Sequence, residues 1–344
     1  MPKRSGLLRP SRLAVPLAVP LAVLALSAGL TACGGSADEE SASAAEASSA
    51  PGFPVSIENR FGTTEIPAEP QRVVTVGFND QDFVLALGVT PVGVRENLGD
   101  YDVTQRPWAQ EQLDGAEFPT IGGDAIDVEA VAALQPDLIV GVYSYMDQAV
   151  YDQLSAIAPT LAQTDEYADG ATPWQEQTLL TGRALGKEEE AQALVDDVEG
   201  QFEQAVTDNP DFAGKSIAVD LTGVGSGHYL LGQDDLRTQL FSDLGFTVPE
   251  ASTDVSQERL DLLDADVLAV NGYDQAAADA DTLFSALDVV TSGRTVLLGD
   301  YSGDVSAALG FGSPLSLPFL LDEVVPALAA AADGDPSTAV PALG

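Results

Sequence analysis

Apolar residues along this chain fall into two rhythms that alternate. Arg72–Val76, Pro91–Val94 and Asp137–Val142 are short apolar runs, rich in β-branched residues, of the length of buried strands. Between and after them, Gln81–Leu87, Val128–Leu134 and Tyr151–Ala156 place apolar residues at helical spacing. A hairpin is expected ahead of these, Pro54–Asn59 with Thr63–Pro67, turning at Arg60-Phe61-Gly62. The second half repeats the style, with strands expected at Ser216–Leu221, Asp266–Asn271 and Thr295–Leu298 and helices at Leu236–Leu244, Gln257–Leu263 and Pro314–Ala331. Such alternation predicts parallel sheets covered by helices.

Pro173–Ala205 differs from both halves. It is nearly all helix former, interrupted at Gly186, and its second part opens on Glu188-Glu189-Glu190, where acids are favoured by the helix dipole. It reads as a long, stiff connector. An internal repeat agrees with two lobes: Ile126–Val140 aligns with Val255–Ala269 at a constant offset of 129, pairing Glu129 with Glu258, Leu134 with Leu263 and Asp137 with Asp266.

The N-terminus changes the picture from fold to compartment. Residues 1–12 carry Lys3, Arg4, Arg9 and Arg12 and no acid, and 13–32 are apolar or small apart from a Ser and a Thr. That is the pattern of a secretory signal, and Pro16 and Pro20 make it a poor permanent membrane span. Leu30-Thr31-Ala32-Cys33 resembles a bacterial lipobox, in which Cys33, the only cysteine, is lipidated and becomes the new N-terminus. Apart from Cys33 and Pro51, residues 33–52 are Gly, Ser, Ala and acid, too poor in large apolar residues to fold, and are expected to be a disordered tether.

Charge narrows the partners. Residues 1–32 hold four basic residues and no acid, so their removal leaves ten Lys and Arg against 54 acidic residues, a charge near −44. That balance argues strongly against nucleic acid or anionic lipid headgroups as partners. With a single histidine, His228, a cluster of His and carboxylate for bare zinc or manganese is not available. No GxxxxGK[ST] or GxGxxG supports nucleotide binding. Gly225 and Gly227 are expected to permit a tight turn. Catalysis has little to use: His228 would have to serve any Ser–His–Asp arrangement, and no GxSxG elbow is present.

Several segments, taken in order, resemble one family. They are Arg72–Val76 leading to Ala86-Leu87-Gly88, Pro91–Val94, Leu134-Gln135-Pro136-Asp137-Leu138-Ile139, Leu154–Pro159, Leu260–Leu268 and Gly310–Pro326. The run from Gln71 to Gly334 is similar to the periplasmic binding proteins that serve ferric siderophores, haem and cobalamin, the type whose lobes are joined by a stiff helix. The last two segments look most like its actinobacterial siderophore-binding branch. The resemblance implies an α/β fold of two Rossmann-like lobes with mostly parallel sheets, joined by a long rigid helix, with the ligand cleft between them. The expected organisation is a lipoprotein signal peptide at 1–32, the lipid-anchored tether at 33–52, lobes at 53–172 and 210–334, the connecting helical segment at 173–209 and a tail at 335–344. It also implies the substrate-binding lipoprotein of an ABC importer, held on the outer face of the membrane through Cys33. Its partners are a ferric siderophore and the permease's transmembrane subunits, iron arrives inside its chelator, and no cofactor is needed. Haem or cobalamin is the alternative cargo, and an exported hydrolase the remotest reading. Glu129 and Glu258 match the family glutamates that pair with permease arginines. Read from the residues alone, each is equally an acid complementing a helix dipole.

Ligands of parallel α/β sheets lie beyond the carboxyl ends of the strands. That rule picks Phe78 and Asn79, Arg95 and Trp108, Tyr143 and Tyr145 in the first half. In the second it picks Gly223–Tyr229 with His228 and Tyr229, then Arg237, Tyr273 and Tyr301. Aromatics with few cations suit a bulky, partly apolar chelate. Each has a structural alternative: a packed tyrosine, a surface ion pair for Arg95, a helix brace for Arg237. Only two candidate cations in so acidic a chain favour a neutral or cationic trihydroxamate of the ferrioxamine type over a triply anionic catecholate.

Overall fold

The computed structural model describes residues 52–95, 102–224 and 227–343. The signal segment, the lipobox with Cys33, the tether up to residue 51 and Gly225 lie outside the described residues. The described residues form one compact unit. No helix among the described residues is long and apolar enough to cross a membrane.

The first half contains β1 (Val55–Asn59), β2 (Gly62–Ile66), β3 (Val73–Thr75), α1 (Asp80–Ala86) and β4 (Gly93–Val94). These are followed by α2 (Gln110–Leu113), α3 (Val128–Ala133), β5 (Leu138–Gly141), α4 (Gln148–Ser155) and β6 (Thr160–Ala162). Two helices follow, α5 (Trp174–Leu185) and α6 (Glu188–Asp208). The second half contains β7 (Ile217–Thr222), β8 (His228–Leu231), α7 (Gln239–Asp243), β9 (Thr253–Val255), β10 (Val267–Asn271) and α8 (Gln275–Ala280). It closes with α9 (Asp288–Thr291), β11 (Thr295–Leu297), α10 (Asp304–Gly310) and α11 (Ser316–Ala332).

Two α/β sheets result. The first is parallel, in the order β4-β3-β5-β6, and β3 and β5 are buried along their whole length, as strands covered on both faces must be. The β1–β2 hairpin lies outside it, with every second residue of β1 buried. The second sheet has the order β11-β10-β7-β8-β9 and is mixed: β11, β10 and β7 run parallel, while β8 and β9 pair antiparallel at one edge. The segment expected as a loop after β7 is therefore a hairpin. Gly223 and Gly227 both take positive φ, which favours glycine, and they exchange a backbone hydrogen bond of 2.8 Å across the turn.

The repeat has a structural counterpart at the strand starts. Asp137, just before β5, accepts the backbone N–H groups of Gln71 and Arg72 at 2.9 and 2.7 Å and so fixes the entry to β3. Asp266, just before β10, accepts from the N–H and hydroxyl of Ser216, both at 2.8 Å, at the entry to β7. The helices of the repeat diverge. Asp127 caps α3 by accepting from Ala130 N at 3.0 Å, whereas Gln257–Leu263 is a 3-10 helix with a kink at Arg259.

The connector is two helices rather than one. Gly186, at φ 68°, ends α5, and α6 runs back along it, with Gly182 so close to Ala191 that a side chain there would collide. Val195, Val198 and Phe202 of α6 enter a large apolar cluster that also takes Phe83, Leu85 and Trp108 from the first half and β7, β10 and α11 from the second. One core thus spans the junction between the sheets.

Candidate functional site

A cleft of about 360 Å³ opens between the two sheets. Its first-half wall is made by Asn79 after β3, Tyr143 and Tyr145 after β5, and Asp169–Ala171 after β6. Opposite stand Asp234–Arg237 just before α7 and Leu240 and Asp243 within it, with Leu309–Gly312 at the end of α10. Trp174 and Gln177 of α5 and Phe202 of α6 back it.

Aromatic rings build the first-half wall. The rings of Tyr143 and Tyr145 lie tilted at 49° with centroids 5.4 Å apart, and Phe78 meets Tyr143 edge-on at 6.1 Å. Phe311 closes the group from the second half, 6.2 Å from Tyr143 and 6.4 Å from Phe78. Gly170, at φ 72°, packs directly on both tyrosines. Burial, and next the neighbouring Tyr145 hydroxyl, push the Tyr143 phenol above its ordinary value, so it stays a neutral donor. Behind the rings, burial raises the Asp80 carboxyl to about 6 even though it accepts the N–H of Tyr143 at 3.3 Å.

The electrostatics are acidic. Among the described residues lining the cleft, Asp169, Asp234, Asp235 and Asp243 face a single cation, Arg237. That cation is already paired: Arg237 donates from Nε and Nη2 to the two oxygens of Asp235 at 2.8 and 2.6 Å. Burial works against its charge, but the Asp235 carboxylate outweighs burial and holds Arg237 above its ordinary value.

Of the residues expected at the site, Asn79, Tyr143, Tyr145 and Arg237 line the cleft, and Phe78 lies just behind its surface, 6% exposed. The others are placed elsewhere. Arg95 was expected to offer its cation to a ligand, but its guanidinium donates to the carbonyls of Gly123, Val76, Ser144 and Asp124 and stacks 4.0 Å over the back of Phe78. It braces the aromatic wall from inside. Trp108 donates its Nε1–H to Asp82 at 2.8 Å, deep in the junction. There Asp82 also accepts from the fully buried Arg106 at 2.7 Å and from the hydroxyl of Ser313 at 3.2 Å.

His228 sits on β8, not in a cleft loop. It is buried, 2.6 Å from Asp220, with its ring parallel to Phe284. Burial lowers its basicity, but Asp220 outweighs that and raises it. Tyr273 stands edge-on to His228, and its hydroxyl donates to Asp281 at 3.1 Å. Tyr229 is half-buried on β8 against the core. Tyr301 is 47% exposed and donates to the carbonyl of Thr222 at 2.8 Å, covering Gly272 outside the cleft lining. Glu129 and Glu258 are both exposed in the first turns of their helices, with no ion pair among the described residues. Among the described residues, no group of three His, Cys, Asp or Glu is placed to hold a metal ion.

The strand-end rule missed Trp174, Gln177, Asp169–Ala171, Asp234, Asp235 and Phe311. One signal was present: Trp174 is one of two tryptophans and directly follows Pro173 at a helix start.

Two α/β sheets flanking an aromatic, solute-sized cleft backed by a helix pair define a two-lobed solute-binding protein. Residues 73–286 match the periplasmic binding protein family, and the chain belongs to it. The chain is 29% identical over 260 residues, 70% of its length and 74% of the relative's, to a probable siderophore-binding lipoprotein of Bacillus subtilis, YfiY. It is 30% identical over 225 residues to the iron(3+)-hydroxamate-binding protein FhuD of the same species, covering 64% of this chain and 66% of that one. A crystal structure of a periplasmic solute binding protein from Mycobacterium smegmatis superposes with a TM-score of 0.74 at 35% identity, over 81% of this chain and 98% of that one. These relatives are binding proteins, and this chain is one too, not an enzyme.

Proposed function

We propose that the chain is the extracytoplasmic substrate-binding lipoprotein of an ABC importer, anchored through Cys33, which captures a ferric siderophore in the cleft and passes it to the permease. The carrying observation is the cleft itself: an aromatic wall with one already neutralised arginine among four aspartates. The names of the relatives in Bacillus subtilis support the siderophore class. In this reading the lobes run 53–172 and 210–334, residues 173–209 connect them, and Glu129 and Glu258 present one carboxylate per lobe to the permease.

The charge balance favours a neutral or cationic chelate. Three hydroxamates cancel the charge of a ferric ion, whereas three catecholates leave the complex triply anionic. Among the described residues Asp235 is paired with Arg237 and Asp169 with Arg60, which leaves Asp234 and Asp243 on the cleft with no cation to offset them, and these disfavour the latter. A thermal-shift panel of ferric trihydroxamate, ferric tricatecholate, ferric citrate, haem and cobalamin tests both levels. A ligand at a hundred times its dissociation constant adds about 2.7 kcal/mol of stability, a rise of roughly 5–10 °C in a chain of this size. A rise with the trihydroxamate supports the proposal in full. Tighter binding of the catecholate would overturn the charge argument, and silence across the ferric complexes would overturn the siderophore reading.

A further inference from the structure

Three side chains in the cleft wall hold a buried polar atom with no hydrogen-bond partner among the described residues: Asn79 Oδ1, Trp174 Nε1 and Gln177 Oε1. Their exposures are 2%, 4% and 3%. A buried donor or acceptor left unpaired costs about 1–3 kcal/mol, so native proteins rarely leave one. Ten such side-chain atoms occur among the described residues, and these three are the ones on residues that line the cleft. Two of the three are also oriented. Gln177 donates its amide nitrogen to the carbonyl of Thr172 at 2.8 Å, and Asn79 donates its own to Gly312 at 3.3 Å, so in each the oxygen is the free end. Trp174 and Gln177 are three residues apart on α5 and therefore neighbours on one helix face.

The wall thus offers one donor beside acceptors, next to Phe202, Leu240, Leu317 and Leu320. A carboxylate would meet one donor, surplus acceptors and nearby aspartates. An ammonium would satisfy the acceptors and leave the indole N–H unpaired. Hydroxamate oxygens are committed to the metal. A secondary amide serves the neighbouring pair on α5, with a carbonyl for Trp174 and an N–H for Gln177, and its aliphatic neighbours fit the leucines; Asn79 Oδ1 is left to another part of the ligand. We infer that the side of the cleft backed by α5 is a subsite for a secondary-amide link in an aliphatic arm of the ligand, with Trp174 donating to its carbonyl and Gln177 accepting its N–H. This deepens the siderophore reading and rests on it. The ferric centre itself is left to the aromatic wall.

The test uses the mature chain labelled with 15N-tryptophan, which has two indole resonances, from Trp108 and Trp174. It is titrated with the gallium complex of desferrioxamine B, a diamagnetic trihydroxamate whose spacers carry secondary amides. The Trp174 indole N–H is expected to move further than that of Trp108, which Asp82 already holds. Trp174→Phe, which keeps a ring, and Gln177→Met are each expected to weaken binding by about 3- to 10-fold. A complex that binds while the Trp174 resonance stays unmoved, or that binds both variants as tightly as the parent, overturns the subsite and leaves the siderophore reading intact. A complete absence of binding by gallium and ferric siderophores overturns the siderophore reading and the subsite with it.

Discussion

Replacing Asp82 by Asn should be among the most damaging single changes in the body. Asp82 is fully buried, and its two oxygens accept from Arg106 Nη1 at 2.7 Å, Trp108 Nε1 at 2.8 Å and Ser313 Oγ at 3.2 Å. Asn is nearly isosteric, so no cavity term enters. It leaves the buried Arg106 guanidinium without its counter-charge and turns an amide N–H₂ toward groups that donate. Removing one partner of a buried pair costs about 3–5 kcal/mol, a large share of the roughly 5–15 kcal/mol that holds a domain folded. At roughly 2–4 °C per kcal/mol for a chain of this size, the melting temperature should fall by about 10 °C. Guanidinium denaturation followed by circular dichroism measures the loss. Arg106→Met alone should cost a similar amount by stranding the carboxylate, while the double variant should recover at least about 2 kcal/mol relative to the sum of the singles. A cost below about 1 kcal/mol for Asp82→Asn, or strict additivity in the double variant, would refute the argument that this pair ties α1 to the segment entering α2.

Three further outcomes follow from the geometry. Gly170→Ala should weaken ligand binding at least tenfold in titration calorimetry with a modest stability loss, because a methyl group there collides with the Tyr145 hydroxyl and lies 2.7 Å from the Tyr143 ring at a φ of 72°; unchanged affinity would show that the tyrosines do not need their present seat. Asp80 keeps its proton up to about pH 6 in the folded chain but loses it near 3.8 when unfolded, so the folded state binds more protons across that window and stability falls as pH rises through it. Asp80→Asn removes this slope, and its stability relative to the parent should climb by up to about 3 kcal/mol between pH 4 and 7; a flat difference across that range would refute the assignment. Charge reversal at Glu129 or Glu258 should leave ligand affinity unchanged and cripple uptake in cells, and normal uptake by both variants would remove them as docking residues.

The elements legible in the sequence were those whose pattern is local. The β1–β2 hairpin, the strands β3, β5, β7, β10 and β11, and the helices α1, α3 and α11 all begin and end within a few residues of where periodicity places them. The antiparallel strands β8 and β9 were not legible, because β8 is four residues long and follows a glycine-rich turn that reads as loop. The connector read as one stiff unit because composition registers helix propensity but not direction. Only the left-handed conformation of Gly186 turns α6 back against α5.

The site was less legible for a different reason. The strand-end rule says which loops face a cleft, and it placed Asn79, Tyr143 and Tyr145 there. It cannot say whether a side chain on such a loop points outward or is consumed by the scaffold. Arg95 and Trp108 have partners, four carbonyls and a carboxylate respectively, that lie from 19 to 49 residues away in sequence, so their fate is set by tertiary packing. Trp174, Gln177 and Phe311 enter the cleft from a helix face and a helix end that the rule does not address. What places them is the shared core, in which α6 and α11 pack against the second sheet while Phe83, Leu85 and Trp108 reach in from the first half. A cleft built this way cannot change one wall independently. Leu309 of α10, two residues before Phe311, and Trp174 of α5 both belong to this core, so it ties the position of the aromatic wall to that of the unpaired atoms of Trp174 and Gln177. Shape selection among ligands therefore resides in the core as much as in the residues that touch the ligand.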